Sequence, residues 1–216
     1  MGKRPGYGLT STFLSVEGVV YASFLILDLT GQGGQTVSIK YAGVLLCLAF
    51  ALTGGDRLVS LALALTAGAD WFLLVRGDHY AAGIALFLCV QTVYFLRLRR
   101  AGAGDGWPVR SGLALGLGAG VYALNMASPL NLAAALYFSQ LASNALLAWT
   151  LKGARWRAFA LGLTLFVGCD ICVGLFNVLP AASPLYFPAS IGMWLFYLPS
   201  QVLIALSALP EKEEAP

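Results

Sequence analysis

Long apolar blocks separated by short polar breaks make up almost all of this chain, and they restrict its fold more than any single residue does. Eight blocks cover residues 11–29, 39–54, 58–75, 80–97, 111–128, 130–151, 158–178 and 187–209. Predominantly apolar runs of about 20 residues span a bilayer as helices. The breaks, such as "GQGGQ", "GGDR", "RGDH" and "LPAASP", have the Gly and Pro chemistry that punctuates helices. Only 11% of the 216 residues are charged, against about 25% in a soluble domain, so the chain is too poor in charge to cover a water-facing surface. Barrel strands would be short and alternating, and these blocks do not alternate. The expected fold is all-α, a polytopic membrane helix bundle of eight or so transmembrane helices. It forms one domain over residues 1–210, divisible into halves 1–100 and 111–210, followed by an acidic tail, 211–216. The second block is short enough to be tilted or partly re-entrant.

The cations orient the bundle. With the N-terminus in the cytoplasm, Lys3, Arg4, Arg57, Arg97, Arg99, Arg100, Arg110, Lys152, Arg155, Arg157 and Lys212 fall inside. Only Arg76 falls in an outside loop, while Lys40 opens the second span at its outer end. Cytoplasmic loops carry such an excess of Lys and Arg. Both termini are therefore expected in the cytoplasm, in a multi-pass protein suited to a bacterial inner membrane. The net charge of +3 is a topology signal, and no nucleic-acid partner is expected for the "RLRR" run. The first apolar block lacks a small-residue cleavage site and reads as a retained helix. Cys47, Cys89, Cys169 and Cys172 all fall within spans and read as free buried thiols. With one histidine in the chain, the C-x-x-C at 169–172 lacks partners for a metal or redox site. No metal or other cofactor is expected, and "RGDHY" reads as a polar turn with His79 at the outer surface.

Two carboxylates stand out because they lie where carboxylates are least welcome. Asp70 is embedded in "LTAGADWFLLV" and Asp170 in "LFVGCDICVGLFN". Asp70 lies 13 residues past Arg57 (70 − 57), and Asp170 lies 13 past Arg157 (170 − 157). At a rise of 1.5 Å per residue both sit roughly 20 Å from the cytoplasmic end, at matching depth toward the outer face. An Asp at the centre of a spanning helix costs roughly 2.5–3.5 kcal/mol on insertion scales, and such residues usually face the bundle interior at a functional site. Each belongs to a G-x-D triplet whose small residues permit close helix approach. The third and seventh spans are expected to pack with these faces together, so that the carboxylates meet. The G-x-D helix is third of four in each half, a faint parallel repeat.

Other polar groups reach the same outer half. Lys40 and Asp28 stand at the outer ends of the second and first spans, and Gln91 and Tyr94 lie inside the fourth. Tyr137, Gln140 and Asn144 share one face of the sixth, and Tyr197 and Gln201 share one face of the eighth. Together they describe a polar chamber. Glu17, nearer the inner end of the first span, has no evident partner.

These pieces resemble the YhhN family of multispanning membrane proteins, whose characterised members are lysoplasmalogenases. The likeness is carried by Lys40 in "SIKYAGVLL", by "GADWFLL" with "AAGIALFLCVQTVY" behind it, by "RAFALGLTLFVGCDICVGLFN" and by "FYLPSQVLIALS". It covers most of the chain and is weakest in the first span. The chain departs from the family pattern at Gln91, where the family usually has His, and at Cys169, where it has Ser. The resemblance implies Lys40, Asp70, Asp170, Tyr197 and Gln201 as family-type polar positions. It also implies a lysophospholipid substrate drawn from the membrane lipid, whose vinyl ether is cleaved to a fatty aldehyde and glycerophosphoethanolamine or glycerophosphocholine. That reaction needs a neutral acid, a carboxylate and a held water, and neighbouring carboxylates in a low-dielectric site can share one proton. Asp70 and Asp170 are the expected catalytic pair. Lys40 either holds a carboxylate ionised or receives the substrate phosphate, and Gln91, Tyr197 and Gln201 orient water. Tyr94, Tyr137, Gln140 and Asn144 complete the expected substrate-binding wall. The competing readings are a proton-coupled transporter and a non-catalytic lipid-binding membrane protein.

Overall fold

The computed structural model describes residues 6–32 and 36–210. Lys3, Arg4, Lys212, the acidic tail and part of "GQGGQ" therefore lie outside the described residues. Eight helices follow one another: α1 (Tyr7–Leu29), α2 (Val37–Gly54), α3 (Arg57–Asp70), α4 (Tyr80–Arg100), α5 (Trp107–Ala123), α6 (Pro129–Ala148), α7 (Ala154–Val178) and α8 (Tyr186–Leu206). Directly after Asp70, α3 widens into a π-helical segment, Trp71–Arg76. Such segments recur at functional sites because they swing side chains off the regular helical face.

The boundaries have local causes. Gly55 ends α2 in a left-handed conformation, φ 85°, which a residue with a Cβ rarely adopts. Asp56 then caps α3, accepting from Leu58 N at 3.1 Å and Val59 N at 3.4 Å. Ser128 caps α6 through Asn131 N, with Pro129 in the first turn, where its missing N–H costs nothing.

Among the described residues six helices are long and apolar enough to cross a membrane: Gly8–Leu29, Val37–Gly54, Arg57–Arg76, Tyr80–Arg100, Ala154–Val178 and Tyr186–Leu206. The other two blocks of the sequence reading form helices that fall short of that measure. At 17 residues α5 is short, and α6 carries Ser139, Gln140, Ser143 and Asn144 along its length. Leu115, Val19 and Leu52 are among the large apolar side chains left uncovered, at 74%, 67% and 65% exposure. Such apolar surface marks contact with a membrane or partner rather than with water.

Five helices close a ring. α3 packs on α4, α4 on α6, α6 on α7, α7 on α8, and α8 returns to α3. Helix α2 packs on both α3 and α8, α1 packs on α2 and α8, and α5 lies outside the ring against α6. The closest approaches are glycine-mediated. A Cβ on Gly192 would meet Cys172 Sγ at 2.7 Å, and one on Gly162 would meet Ser200 O at 3.0 Å, so α7 and α8 sit backbone to backbone. The G-x-D glycines have a smaller part. Gly68 faces Leu86 of α4 and Gly168 faces Phe196 of α8, both at ordinary contact distance. Helices α3 and α7 do not pack on one another among the described residues. The expectation of a direct G-x-D helix pair is therefore corrected: α4, α6 and α8 separate the two, and Asp70 and Asp170 approach across the ring.

Candidate functional site

Each ring helix contributes to one interior chamber. From α3 comes Asp70, 5% exposed. From α8, Tyr197 Oη donates to Asp70 Oδ2 at 2.6 Å. From α7, Asp170 lies close enough for its charge to act on Asp70, and its Oδ2 is buried with no hydrogen-bond partner. From α6, the buried Tyr137 hydroxyl approaches the Asp170 carboxylate without completing a well-formed hydrogen bond. Each carboxylate thus has a tyrosine hydroxyl beside it, with the Cys169 thiol near both and Tyr41 within reach of the Asp70 charge. Aromatic rings line the inner wall: Phe166 meets Tyr197 edge-on at 5.4 Å and Phe87 at 5.7 Å, and Phe87 lies 5.5 Å from Tyr137. Among the described residues no cation pairs with either acid.

A second polar tier lies one turn nearer the start of α3. Thr66 is four residues before Asp70 in α3, and Gln201 four after Tyr197 in the oppositely running α8, so each falls on the same helix face, one turn along. Thr66 and Gln201 are fully buried, and Tyr94 Oη lies beside Thr66. Among the described residues Gln201 has a partner for neither Oε1 nor Nε2, and Gln91 Nε2 likewise has none. Buried polar groups are almost always hydrogen-bonded to protein or to ordered water. A carboxamide open at both ends is a water-binding group, with two or more polar atoms to offer.

Not every residue of the sequence reading joins this chamber. Lys40 turns away from the acid pair. Its Nζ lies 2.8 Å from Asp28 Oδ2, Thr36 also donates to Asp28 at 2.9 Å, and the ammonium stands over Trp194 at 4.7 Å. Lys40 and Asp28 line a cleft of about 220 Å³ with Phe187, Ser190, Met193 and Trp194. Trp194 in turn packs edge-on against Tyr197 at 5.4 Å, so this cleft adjoins the chamber through one indole. Gln140 and Asn144 are tied to Arg110, and Asn144 reaches the second tier through Gln91. Arg110, from the start of α5, donates to Gln140 Oε1 at 2.7 Å and to Asn144 Oδ1 at 2.5 Å. Asn144 then donates to the backbone and side-chain oxygens of Gln91 at 2.9 and 3.0 Å. Tyr137 and Asn144 share a helix face, but seven residues along a helix is about 10 Å, enough to put them in different tiers.

Sequence reasoning missed several of these partners. Arg110 reads as a loop cation by the positive-inside count, yet it is 5% exposed and organises α6. Glu17 is 3% exposed and accepts from Cys47 Sγ at 3.4 Å. Of the thiols, Cys47 and Cys169 are buried, Cys172 is intermediate and Cys89 is exposed. His79 is exposed and bonds Asp78 at 2.5 Å, well apart from the chamber in the turn before α4. The signal for Arg110 was present in its position, since it follows "DGWP" at the first turn of an otherwise apolar helix.

No curated protein and no solved structure gives a significant match to the chain. A family model does: the chain belongs to the YhhN family, whose model matches residues 35–208.

Proposed function

We propose that the protein is a membrane hydrolase that cleaves the vinyl ether of lysoplasmalogens, with Asp70 and Asp170 as its acid and base. The supporting observation is a pair of intramembrane carboxylates facing one another across a helix ring, without a cation and each beside a tyrosine. One carboxyl, in its neutral form, gives its proton to the alkenyl carbon remote from the ether oxygen. The oxocarbenium ion that forms is stabilised by the second, ionised carboxylate. Water attacks the cationic carbon and yields its proton to that carboxylate. The hemiacetal then collapses: its hydroxyl loses a proton, the glycerol oxygen takes one, and fatty aldehyde and glycerophospho-alcohol leave. General acid–base chemistry of this kind contributes typically 10²–10⁴-fold. The unpartnered Gln201 amide one turn along, with Gln91, suits the holding of the attacking water.

The Lys40–Asp28 cleft suits the headgroup. Its ammonium matches a phosphate and its carboxylate an ethanolamine or choline nitrogen, and Trp194 offers a face to a quaternary ammonium. In this reading all eight helices cross a bacterial inner membrane. Arg57, Arg97, Arg100 and Arg155, gathered at one end, face the cytoplasm, as do both termini. The apolar outer surface admits the alkenyl chain from the bilayer.

The test is turnover by purified protein in mild detergent with lysoplasmenyl-ethanolamine and lysoplasmenyl-choline, following fatty aldehyde by mass spectrometry. Aldehyde release by the wild type and its loss in Asp70→Asn and Asp170→Asn support the proposal. A folded wild type that releases no aldehyde from either lipid overturns it. Proton-coupled transport is then the better account of the paired acids and the polar tier beside them.

A further inference from the structure

At the end of the bundle away from the carboxylates, four guanidiniums from three separate segments meet in one cleft of about 550 Å³. Arg57 opens α3, Arg97 and Arg100 close α4, and Arg155 stands in the first turn of α7. The chain after α8, at Ala208 and Pro210, completes the wall. Asp56 is the one carboxylate among the lining residues. It accepts from Arg97 Nε at 2.9 Å and from Arg155 Nη2 at 2.6 Å. Arg97 is 3% exposed and clamped, with its guanidinium 4.6 Å from the Trp156 ring and 4.3 Å from Phe159, and a further bond to Ser207 O at 2.7 Å.

Among the described residues the charges in this cleft do not balance. One carboxylate satisfies parts of two guanidiniums, and Arg97 Nη1 and Arg155 Nε remain without a hydrogen-bond partner. Arg57 and Arg100 are exposed and form no ion pair among the described residues. Two helices also begin here. Asp56 caps α3, whereas α7 starts after Gly153 with no side-chain cap, leaving its first N–H groups and the positive end of its dipole directed at this region. A positive-inside count needs only that arginines lie in cytoplasmic loops. It does not require that they converge, or that two of them be held by a shared carboxylate and an indole.

We propose that this cleft binds a phosphate group, with Arg57, Arg100 and Arg155 as its ligands and Asp56 and Arg97 as the scaffold that orients Arg155. Planar guanidinium forks match the oxygens of phosphate two at a time, and an uncapped helix N-terminus is a natural anion site. The phosphate is a monoester, carried either by an anionic lipid of the adjoining leaflet or by a soluble ligand. The site stands about 20 Å from Asp70, since Asp56 and Asp70 lie at opposite ends of one 14-residue helix. It is therefore separate from the proposed chemistry and does not depend on it.

The test uses the full chain in a neutral detergent and reads binding, not turnover. Inorganic phosphate, dioctanoyl phosphatidic acid and dioctanoyl phosphatidylcholine are titrated by microscale thermophoresis. The variant is the double substitution Arg57→Gln, Arg100→Gln. Both side chains are exposed and unpaired, so its melting temperature should match the wild type, and a melt confirms that. Phosphatidic acid is expected to bind at least tenfold more tightly than phosphatidylcholine, and the variant is expected to lose at least tenfold of that affinity. Inorganic phosphate competing with it would give a soluble ligand as the source, and failure to compete would give the lipid; both support the site. Equal binding of the two lipids, or phosphatidic acid affinity untouched in the folded variant, overturns it. So does binding seen only after residues 211–216 are removed, since the cleft would then belong to the acidic "EKEE" sequence that follows Pro210.

Discussion

The two ends of the helix bundle handle buried charge in opposite ways. At the arginine end a single carboxylate, Asp56, is shared by two guanidiniums and by the first turn of α3. In the chamber at the far end of the same helix, two carboxylates lie near one another beside tyrosine hydroxyls and the Cys169 thiol, and among the described residues neither is ion-paired. Lys40, the cation expected beside them, is engaged by Asp28 instead. The molecule thus has ample means to neutralise an acid and withholds it from Asp70 and Asp170. An ion pair fixes a carboxylate in its charged form. A carboxylate that must gain and lose a proton during a reaction is better left with hydrogen-bonding neighbours that tolerate both forms. The contrast separates acids that hold structure from acids that do chemistry, and it can be broken by substitution.

The largest effect is expected in the chamber. Asp70→Asn and Asp170→Asn should each lower aldehyde release by roughly 10²–10⁴-fold, the range for removal of a general acid or base. Neither should lower the melting temperature. Asn still accepts from Tyr197 at position 70, and at position 170 the change removes a buried carboxylate oxygen that has no partner. An activity loss matched by a comparable loss of stability would mean that these acids are structural, as Asp56 is.

At the arginine end the ordering should reverse. Asp56→Asn keeps a good helix cap but takes the charge from between Arg97 and Arg155. Removing one member of a buried ion pair typically costs about 3–5 kcal/mol; because Arg155 is partly exposed, the lower part of that range is expected here. The signature is a fall in melting temperature with turnover per folded molecule little changed. A stable but inactive Asp56→Asn protein would erase the distinction between the two ends.

How much of this was legible beforehand differs by level. The number and order of helices were, since each expected block matches one helix, and Gly55, Asp56, Ser128 and Pro129 write some boundaries locally; α5, Trp107–Ala123, nonetheless begins and ends ahead of its expected block, 111–128. The depth of the acids was also legible, by counting from Arg57 and Arg157 along a regular helix. Adjacency was not. Which helices neighbour one another depends on close approaches such as Gly83 on Leu73 and Gly192 on Cys172, and an apolar stripe does not say which apolar stripe it meets. Hence α3 and α7 were paired too directly, and of the two roles expected of Lys40, holding a carboxylate or receiving a phosphate, the structure pairs it with Asp28 rather than with Asp70 or Asp170. Gln140 and Asn144 do share a helix face with Tyr137, but Arg110 of α5 engages both amide oxygens, a partner the shared face did not reveal.

A smaller effect tests the tyrosines. Tyr197→Phe removes the 2.6 Å bond to Asp70 while preserving the ring that packs on Phe166 and Trp194. A hydrogen bond to a charged group is worth about 1.5–3 kcal/mol, so turnover should fall roughly 10- to 100-fold, less than for Asp70→Asn. Tyr137→Phe should do less again, because its hydroxyl does not complete a bond to Asp170 in the resting protein. Equal losses from the two tyrosines would mean that substrate draws Tyr137 onto Asp170 and makes the two halves of the chamber equivalent.

The smallest effect lies outside the bundle and supplies the reference for both ends. Asp78, in the turn between the third and fourth spans, is a carboxylate in water with Arg76 bonded to it at 2.9 and 3.2 Å and His79 at 2.5 Å. These bonds hold its carboxyl down to about 2, from an ordinary 3.8. Because the folded value is depressed, whatever stability the pair gives is present above the unfolded value of 3.8 and is lost as pH falls through about 2. At neutral pH the turn is therefore fully ion-paired, and the group is so exposed that water screens most of the gain. Arg76→Gln should return the Asp78 titration toward the ordinary range, followed by the carboxyl carbon shift in NMR, with no measurable change in melting temperature at pH 7. A clear drop in melting temperature would make this turn a structural clamp on α4, and a surface ion pair would then rank with Asp56 among the acids that hold the fold.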